Sequence, residues 1–225
     1  MTYKLPKYQQ KSFFDNVKVW CTEHKLSVAV VFAGRATRYQ DSYQWFKELA
    51  ERYDVDFYCS LNSDSKPYEE FIEMYNIKKS NFEIYTQPPL SATNVSGGSN
   101  RFSMFYNLKK GVDFISEDEY DIVIYARTDL RYYEKLILTV GGENDIYIPE
   151  GSDWGGTNDQ MCYGSPRAMK TYASLYDNIH KYSQDIMEGS NPESWVKHHI
   201  KNVGLTVHRF GLKYDLNPRR QEPLV

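Results

Sequence analysis

Ser27-Val-Ala-Val-Val-Phe-Ala-Gly34 is a short apolar run, rich in β-branched residues and closed by a glycine. A run of this kind is typical of a strand that is buried on both faces of a parallel sheet. A helical pattern follows at 39–53, and a second short strand pattern follows at 55–60. This alternation predicts an α/β fold, with a mixed, mainly parallel central sheet and helices on both of its faces.

The remaining segments continue the same alternation. Strands are predicted at 82–86, 120–126, 145–149, 161–164 and 205–210, and helices at 68–75, 101–111, 167–182 and 192–202. Pro166 and Pro192 suit the first position of the helices that they open. Residues 91–100 are polar and include two glycines, so they are predicted to form a mobile surface loop that closes over a ligand.

The composition favours one globular domain over residues 1–225, because 41% of the residues are apolar and 16% are aromatic. A net charge of −3 argues against a nucleic-acid partner, which would require a basic excess. No apolar run approaches the length of a membrane span, and the N-terminus lacks the apolar core of a signal peptide. We therefore expect a soluble, cytoplasmic protein. Cys21, Cys59 and Cys162 lie far apart, which predicts buried, reduced thiols.

Polar residues follow several of the predicted strands at the point where each strand ends. In open parallel sheets, ligands bind just beyond the carboxyl ends of the strands. This rule selects four places in the chain, which are residues 33–35, 60–62, 127–129 and 151–159.

Asp129 lies between Arg127 and Arg131 at the end of the strand predicted at 120–126. A carboxylate in this position can bind Mg²⁺ or Mn²⁺ together with the oxygens of a substrate phosphate. Either arginine can neutralise phosphate oxygens. The alternative is an Arg–Asp ion pair at the surface, and the pattern alone leaves both open.

A second glycine-containing stretch leads to Asp159. Gly155 and Gly156 allow a ligand to approach the backbone closely, and Trp154 offers an apolar face for a sugar ring. Asp159 is a candidate general base or acceptor of a sugar hydroxyl. The alternative is a turn in which Asn158 and Asp159 bond to their own backbone.

The histidines give a weaker signal. His198 and His199 lie on a predicted helix without a metal-ligand partner four residues away, so we expect them to be structural or solvated. His208, near the end of the last predicted strand, is a candidate remote metal ligand. A Rossmann Gly-x-Gly-x-x-Gly pattern is missing after the first strand, which argues against a nicotinamide or flavin dehydrogenase.

These parts, in this order, resemble a GT-A-fold glycosyltransferase. The stretch 120–131 resembles the Arg-x-Asp-Leu form of the metal-binding Asp motif of that family. Residues 158–165 resemble its later acidic motif, and 192–195 followed by 203–208 are similar to the closing helix and strand of transferases that assemble polysaccharides. The resemblance covers residues 27–215.

The resemblance implies a nucleotide-sugar donor, with a UDP-linked sugar favoured, and a glycan or glycoprotein acceptor. It implies a Rossmann-like donor-binding half at about 27–130 and an acceptor half at about 131–215. Mn²⁺ or Mg²⁺ would be held by Asp129 with His208, and Asp159 would be catalytic. The residues expected to bind the donor are Ala33, Gly34, Arg35, Asn62, Arg101, Arg127 and Asp129, and those expected to bind the acceptor are Trp154, Gly155 and Gly156.

The chain departs from the family pattern at Arg131, which takes the place of the second acid. Asp54-Val-Asp56 matches Asp-x-Asp literally, but it lies at the start of a predicted strand in the early half, so we interpret the match as accidental. Small enzymes of this kind also occur in large DNA viruses that glycosylate their capsids, which would place the protein in the host cytoplasm.

Two other functions stay open. The missing second acid favours a carbohydrate- or nucleotide-binding module without turnover. A sugar-nucleotide nucleotidyltransferase is the other alternative, although it would need a glycine-rich basic loop after the first strand, and residues 34–38 contain a single glycine.

Overall fold

The computed structural model of the protein describes residues 25–62, 68–83, 85, 98–182 and 191–216. The helices and strands in chain order are β1 (Ser27–Gly34), α1 (Tyr39–Arg52), β2 (Asp54–Leu61), α2 (Tyr68–Tyr75), β3 (Lys79–Asn81), α3 (Gly98–Val112), β4 (Ile122–Ala126), β5 (Leu130–Tyr132), β6 (Asp145–Pro149), β7 (Met161–Gly164), α4 (Pro166–Ala173), α5 (Leu175–Asn178), a 3-10 turn (Ile179–Lys181), α6 (Pro192–Val203), β8 (Thr206–Phe210) and β9 (Tyr214–Leu216).

Within these residues, seven strands form one sheet in the order β3-β2-β1-β4-β7-β6-β8. Strand β7 pairs antiparallel with β4 and β6, and the other pairs in this sheet are parallel. Strands β5 and β9 form a separate antiparallel pair. The predicted α/β fold with a mixed, mainly parallel sheet and flanking helices is therefore confirmed.

Strand β1 forms the centre of the sheet because both of its faces are apolar. Val28, Val30 and Phe32 pack on the side covered by α1 and α2, whereas Ala29 and Val31 pack on the side covered by α3, α4, α5 and α6. Burial of each large apolar side chain stabilises a fold by about 1.5–3 kcal/mol. The prediction of a doubly buried strand is confirmed.

Several local predictions are also confirmed. Pro166 and Pro192 lie at the first turns of α4 and α6, where Ser165 and Asn191 cap the helices through hydrogen bonds from Ala168 N and Ser194 N. Cys59 and Cys162 are buried free thiols, and Cys21 lies outside the described residues.

Three predicted elements differ in the structure. The third strand of the described residues lies at Lys79–Asn81, where a short polar segment pairs with β2 as an edge strand, whereas the strand predicted at 82–86 falls partly outside the described residues. The helix predicted at 167–182 divides after Ala173, where the Ser174 hydroxyl donates to Thr171 O and competes with the helical pattern. The loop predicted at 91–100 lies outside the described residues as far as residue 97, and α3 begins at Gly98.

The strand order changes direction between β1 and β4. From β1 the chain adds β2 and then β3 on one side, and α3 then returns it to β4 on the other side of β1. In open α/β sheets, ligands bind in the crevice outside the carboxyl ends of the strands at such a switch point. In this protein those ends are Gly34 and Ala126.

Candidate functional site

The carboxyl ends of β1, β2 and β4 are joined directly. Thr128 donates a hydrogen bond from Oγ1 to Arg35 O, and Asn62 donates from its backbone nitrogen to Gly34 O at 2.7 Å. Gly34 has a φ of +109°, and a Cβ atom added there would meet no other atom within 4 Å. Residues from three of the places selected in the sequence therefore meet at one edge of the sheet.

Two of the residues expected to bind the donor, Ala33 and Asn62, have their side chains engaged with the rest of the protein. Ala33 is buried in the core beside α3, so it can offer a ligand only its backbone. Asn62 uses its side-chain oxygen to accept hydrogen bonds from Ser103 Oγ and Asn107 Nδ2, each at 2.6 Å. Asn107 in turn accepts from Ser60 Oγ at 2.9 Å.

The sequence does not predict this buried polar network, because Ser103 and Asn107 carry no signal beyond their place in the helix predicted at 101–111. The hydrogen bonds to Asn62 place the first turns of α3 at the same edge of the sheet. Arg101, predicted to contact the donor, lies at this end of α3. The N-terminus of a helix also favours a phosphate group.

Arg127 and Asp129 form a two-point ion pair after β4. Arg127 donates from Nε to Asp129 Oδ1 at 2.9 Å and from Nη2 to Asp129 Oδ2 at 2.7 Å. Both side chains keep partial exposure. Burial opposes the charge of Arg127, but hydrogen bonding and attraction from Asp129, together with attraction from Asp159, raise the pKa of its guanidinium. Arg127 therefore carries a positive charge that is fixed by Asp129 and attracted by Asp159.

Asp159 lies beside this pair because β7 runs antiparallel to β4. Ala126 pairs with Met161, and Arg127 N donates to Gln160 O at 3.3 Å. Only 4% of Asp159 is exposed. Burial and, next in size, the negative charge of Glu193 together raise its pKa to about 6, while Arg127 opposes the shift. A carboxylate in this state is well suited to accept a proton near neutral pH.

Asn158 organises the loop that precedes Asp159. Its Nδ2 donates to Gly151 O at 3.0 Å and to Tyr214 OH at 2.6 Å, and its Oδ1 accepts from Gln160 N at 2.9 Å. Asn158 thus bonds to its own backbone, as the turn interpretation expected, and this turn also fixes the residues on both sides of Asp159.

The loop is further held by Asp153, which accepts hydrogen bonds from Arg209 with both carboxylate oxygens at 3.0 Å. Asp153 Oδ1 also accepts from Asn158 N at 2.9 Å. These contacts define the backbone of a loop in which Ser152 and Trp154 have the positive φ angles 54° and 43°.

The three expected acceptor-binding residues differ from one another. The Trp154 side chain is 74% exposed, and Gly155 has open space around it. Gly156 has a packing role instead, since a Cβ there would lie 2.0 Å from the backbone carbon of Glu193. The expectation that both glycines face a ligand is therefore corrected for Gly156.

The structure does not bring His208 to Asp129. Strand β8 lies three strand spacings from β4, which corresponds to about 14 Å. His208 Nε2 instead lies 3.1 Å from Asp145 Oδ1, and its ring stacks on Tyr147. The pairing of His208 with Asp129 as metal ligands is therefore corrected.

The described part of the chain contains no group of three or more His, Cys, Asp or Glu side chains arranged to hold a metal ion. Asp129 keeps lone pairs beyond those that Arg127 occupies. A cation therefore fits at Asp129 only if a substrate diphosphate supplies most of its ligands, which is how Mg²⁺ commonly binds in phosphate sites.

Two other sequence interpretations can be placed. Asp56 of the literal Asp-x-Asp match lies in the first half of β2, where its Oδ2 accepts hydrogen bonds from Lys78 Nζ at 2.8 Å and Tyr120 OH at 2.6 Å. His199 is fully buried, and its Nε2 is 2.9 Å from Thr171 O. Burial lowers the pKa of His199, so it is a neutral structural residue, as expected.

No protein-family model matches the chain, and no curated protein matches it. Among solved structures, the apo form of the glycosyltransferase GlyE from Streptococcus pneumoniae TIGR4 is similar, with a TM-score of 0.47 and 15% identity over 83% of this chain. A second structure of the same glycosyltransferase has a TM-score of 0.46 and 14% identity over 81% of this chain. The match covers 45% of each GlyE chain, so this chain spans less than half of their length.

None of the helices in the described ranges is long and apolar enough to cross a membrane.

Proposed function

We propose that the protein is a glycosyltransferase that moves a sugar from a nucleoside-diphosphate sugar, with a UDP-linked sugar favoured, to a glycan acceptor. One observation carries this proposal. Arg127, Asp129 and Asp159 lie together beyond the carboxyl ends of the central strands, beside the open space at Gly34. This arrangement offers one cation for phosphate and one acid of raised pKa for a proton.

The donor binds with its diphosphate near Arg127 and the first turns of α3. Arg127 neutralises phosphate oxygens, while Asp129 holds the guanidinium in a fixed orientation. Gly34 allows the nucleotide to approach the backbone, and the Asn62 side chain is held in place by α3. When bound, Mn²⁺ or Mg²⁺ offsets the negative charge that develops on the diphosphate leaving group.

Asp159 removes the proton from the attacking hydroxyl of the acceptor. The hydroxyl oxygen forms a bond to the anomeric carbon, the bond from that carbon to the phosphate oxygen breaks, and the nucleoside diphosphate leaves with the electron pair. The proton passes to Asp159, whose raised pKa matches this task. In a retaining reaction Asp159 instead accepts a hydrogen bond from a sugar hydroxyl, and the stereochemistry of the product distinguishes the two roles.

A thermal-shift screen of nucleotide sugars with and without Mn²⁺, followed by an assay of donor hydrolysis, tests the proposal. A donor that binds the folded state raises the melting temperature, and a transferase then releases nucleoside diphosphate slowly. Release of pyrophosphate from a nucleoside triphosphate would identify a nucleotidyltransferase. Donor binding without any release or transfer would identify a binding module.

A further inference from the structure

Asn62, which follows β2, is the last member of a chain of side-chain hydrogen bonds that reaches the edge of the sheet. Ser60 donates from Oγ to Asn107 Oδ1 at 2.9 Å, and the same Oγ accepts from Asn81 Nδ2 at 3.1 Å. Asn107 then donates from Nδ2 to Asn62 Oδ1 at 2.6 Å. Ser60 and Asn107 are fully buried, so the protein itself sets the direction of these hydrogen bonds.

One backbone contact determines which way the amide of Asn62 points. Asn107 lies 2.9 Å from the backbone oxygen of Ser103. Because a carbonyl oxygen can only accept, the Asn107 atom in this contact must be the nitrogen Nδ2. The same nitrogen contacts Asn62, so the Asn62 atom that receives this bond must be Oδ1. Ser103 Oγ donates to that oxygen as well, at 2.6 Å. The nitrogen of Asn62 therefore lies on the opposite side of its amide.

This nitrogen is available to a ligand. Among the residues that the structure describes, no acceptor lies within hydrogen-bond distance of Asn62 Nδ2, and Nδ2 is not one of the buried side-chain atoms that lack a partner. It therefore keeps contact with solvent, in a side chain that is half-buried. A ligand that meets this fixed N–H group has to present an acceptor of hydrogen bonds.

The position of Asn62 relative to Arg127 suits the base of a nucleotide. Strand β1 lies between β2 and β4, so the ends of β2 and β4 are two strand spacings apart, or about 10 Å. In a nucleoside diphosphate, the ribose separates the base from the phosphates by a distance of this order. Arg127 offers the positive charge that phosphate needs, whereas the amide of Asn62 is a neutral donor that suits an uncharged carbonyl oxygen.

We propose that Asn62 reads the base of the bound nucleotide by donating a hydrogen bond from Nδ2 to its exocyclic oxo group, and that Asn107 is the positioning residue that gives Asn62 this orientation. Uracil, thymine and guanine carry an oxo group where cytosine and adenine carry an amino group. An amino group would meet a second donor at Asn62, so the site discriminates against it. That the nucleotide belongs to a sugar donor rests on the proposed function, whereas the preference for an oxo base does not.

The test is isothermal titration calorimetry of the full chain with two size-matched pairs of nucleotides, UDP with CDP and GDP with ADP. In the pair that binds, the wild type is expected to bind the oxo base about 10–100-fold more tightly than the amino base. Asn62→Ala is expected to bring the two dissociation constants of that pair close together, because it removes the N–H group that distinguishes the bases.

Asn107→Asp is the sharper test, because it reverses the direction of the hydrogen bond without changing Asn62. A carboxylate only accepts, so Asn62 is expected to turn Nδ2 toward residue 107 and to present Oδ1 to the base. The preference should then shift toward the amino base by about tenfold or more, which a loss of packing alone would not produce.

Asn178→Asp is the matched control for this variant. Asn178 Nδ2 donates to Ser174 O at 2.9 Å and lies 3.4 Å from Ser174 Oγ. Asn107 makes the same two contacts with Ser103, at the same distances. The control therefore makes the same chemical change in the same local setting, and it is expected to keep the preference of the wild type.

Equal affinity of the wild type for oxo and amino bases overturns the proposal, as does binding of none of the four nucleotides. An equal loss of affinity for both bases in Asn62→Ala also overturns it, because Asn62 would then contact phosphate or ribose. This variant decides the matter if Asn107→Asp does not fold. If Asn107→Asp folds and keeps the preference, the positioning role is overturned.

Turnover is measured separately, which keeps the two proposals distinguishable. Discrimination between the bases without transfer or donor hydrolysis contradicts the proposed function and leaves the role of Asn62 intact. Transfer of sugar from donors with oxo and amino bases at equal affinity contradicts the role of Asn62 and leaves the proposed function intact.

Discussion

Arg127 engages both carboxylate oxygens of Asp129, through Nε at 2.9 Å and Nη2 at 2.7 Å. The acid that the family resemblance assigns to a metal ion is therefore already paired with a cation of the protein. Under the proposed function, a metal ion would share Asp129 with Arg127, and both positive charges would act on the donor diphosphate. The contribution of each charge can be separated by substitution.

Asp129→Asn is expected to abolish the effect of Mn²⁺ on donor binding and to lower transfer by about 10²–10³, the usual result of losing one transition-state charge contact. The fold is expected to remain, because this residue at the end of a strand is partly exposed. Melting curves with donor, with and without Mn²⁺, measure the effect. Wild-type turnover with wild-type metal dependence would refute a role for Asp129.

The pKa of Asp159 is expected to respond in opposite directions to two neighbours. Glu193→Gln removes a negative charge that raises this pKa, so the pKa should fall below its value of about 6. Arg127→Gln removes a positive charge that lowers it, so the pKa should rise. The acidic limb of the pH–rate profile, or NMR titration of the Asp159 carboxyl carbon, reports both shifts. Shifts of the same sign would contradict the geometry.

Asp159 should also make the stability of the protein depend on pH. Its folded pKa of about 6 lies above the ordinary value of 3.8, so the stabilising contribution of its protonated form is complete below about pH 4 and is lost as the pH rises through 6. Relative to Asp159→Asn, the wild type should lose up to about 3 kcal/mol of unfolding free energy between these limits. Urea unfolding of both proteins at pH 4 and pH 7 measures the difference, and parallel curves would exclude a raised pKa.

In a kinetic assay, Asp159→Asn should lower transfer by about 10²–10⁴ while the affinity for the donor is unchanged, if Asp159 is the base. A joint loss of sugar affinity and rate would indicate that Asp159 only binds sugar. An unchanged rate and affinity would leave Asp159 as a residue of the turn.

Tyr214→Phe is expected to destabilise the protein by about 1–3 kcal/mol, because it leaves the buried Nδ2 group of Asn158 without one of its two acceptors. The rate of transfer should fall with it, since Asn158 positions the residues around Asp159. Tyr133→Phe is the matched control, because Tyr133 donates to Asp215 at 3.1 Å from an exposed position. Equal losses of stability and transfer rate in both variants would show that Tyr214 has no specific role in holding Asn158.

The sequence predicted those parts of the fold that local pattern determines. The bounds of β1, α2, β6 and β7 agree with prediction, because each is a compact run with clear flanking residues. Strands β5 and β9 were not predicted. Each has only three residues, and each forms only by pairing with the other, which lies more than 80 positions away in the chain.

The site was also predicted only in those parts that a local sequence pattern reveals. Arg127, Asp129 and Asp159 stood out because they follow or precede strong strand patterns. Glu193 and Asn107 did not, because each resembles an ordinary helical residue until the fold places it beside Asp159 or Asn62. His208 was misplaced because the pattern located the strand but not its distance from β4 in the sheet.

The reversed direction of β7 has a mechanical consequence. The chain continues from the end of β4 into Arg127, and it passes through Asp159 just before β7 begins, at the same edge of the sheet. A backbone hydrogen bond from Arg127 N to Gln160 O joins these two segments. The separation between Arg127 and Asp159 is thus set by strand pairing, whereas Trp154 is carried by a loop. Under the proposed function, changes in that loop would alter which glycan is accepted while the spacing between Arg127 and Asp159 stays constant.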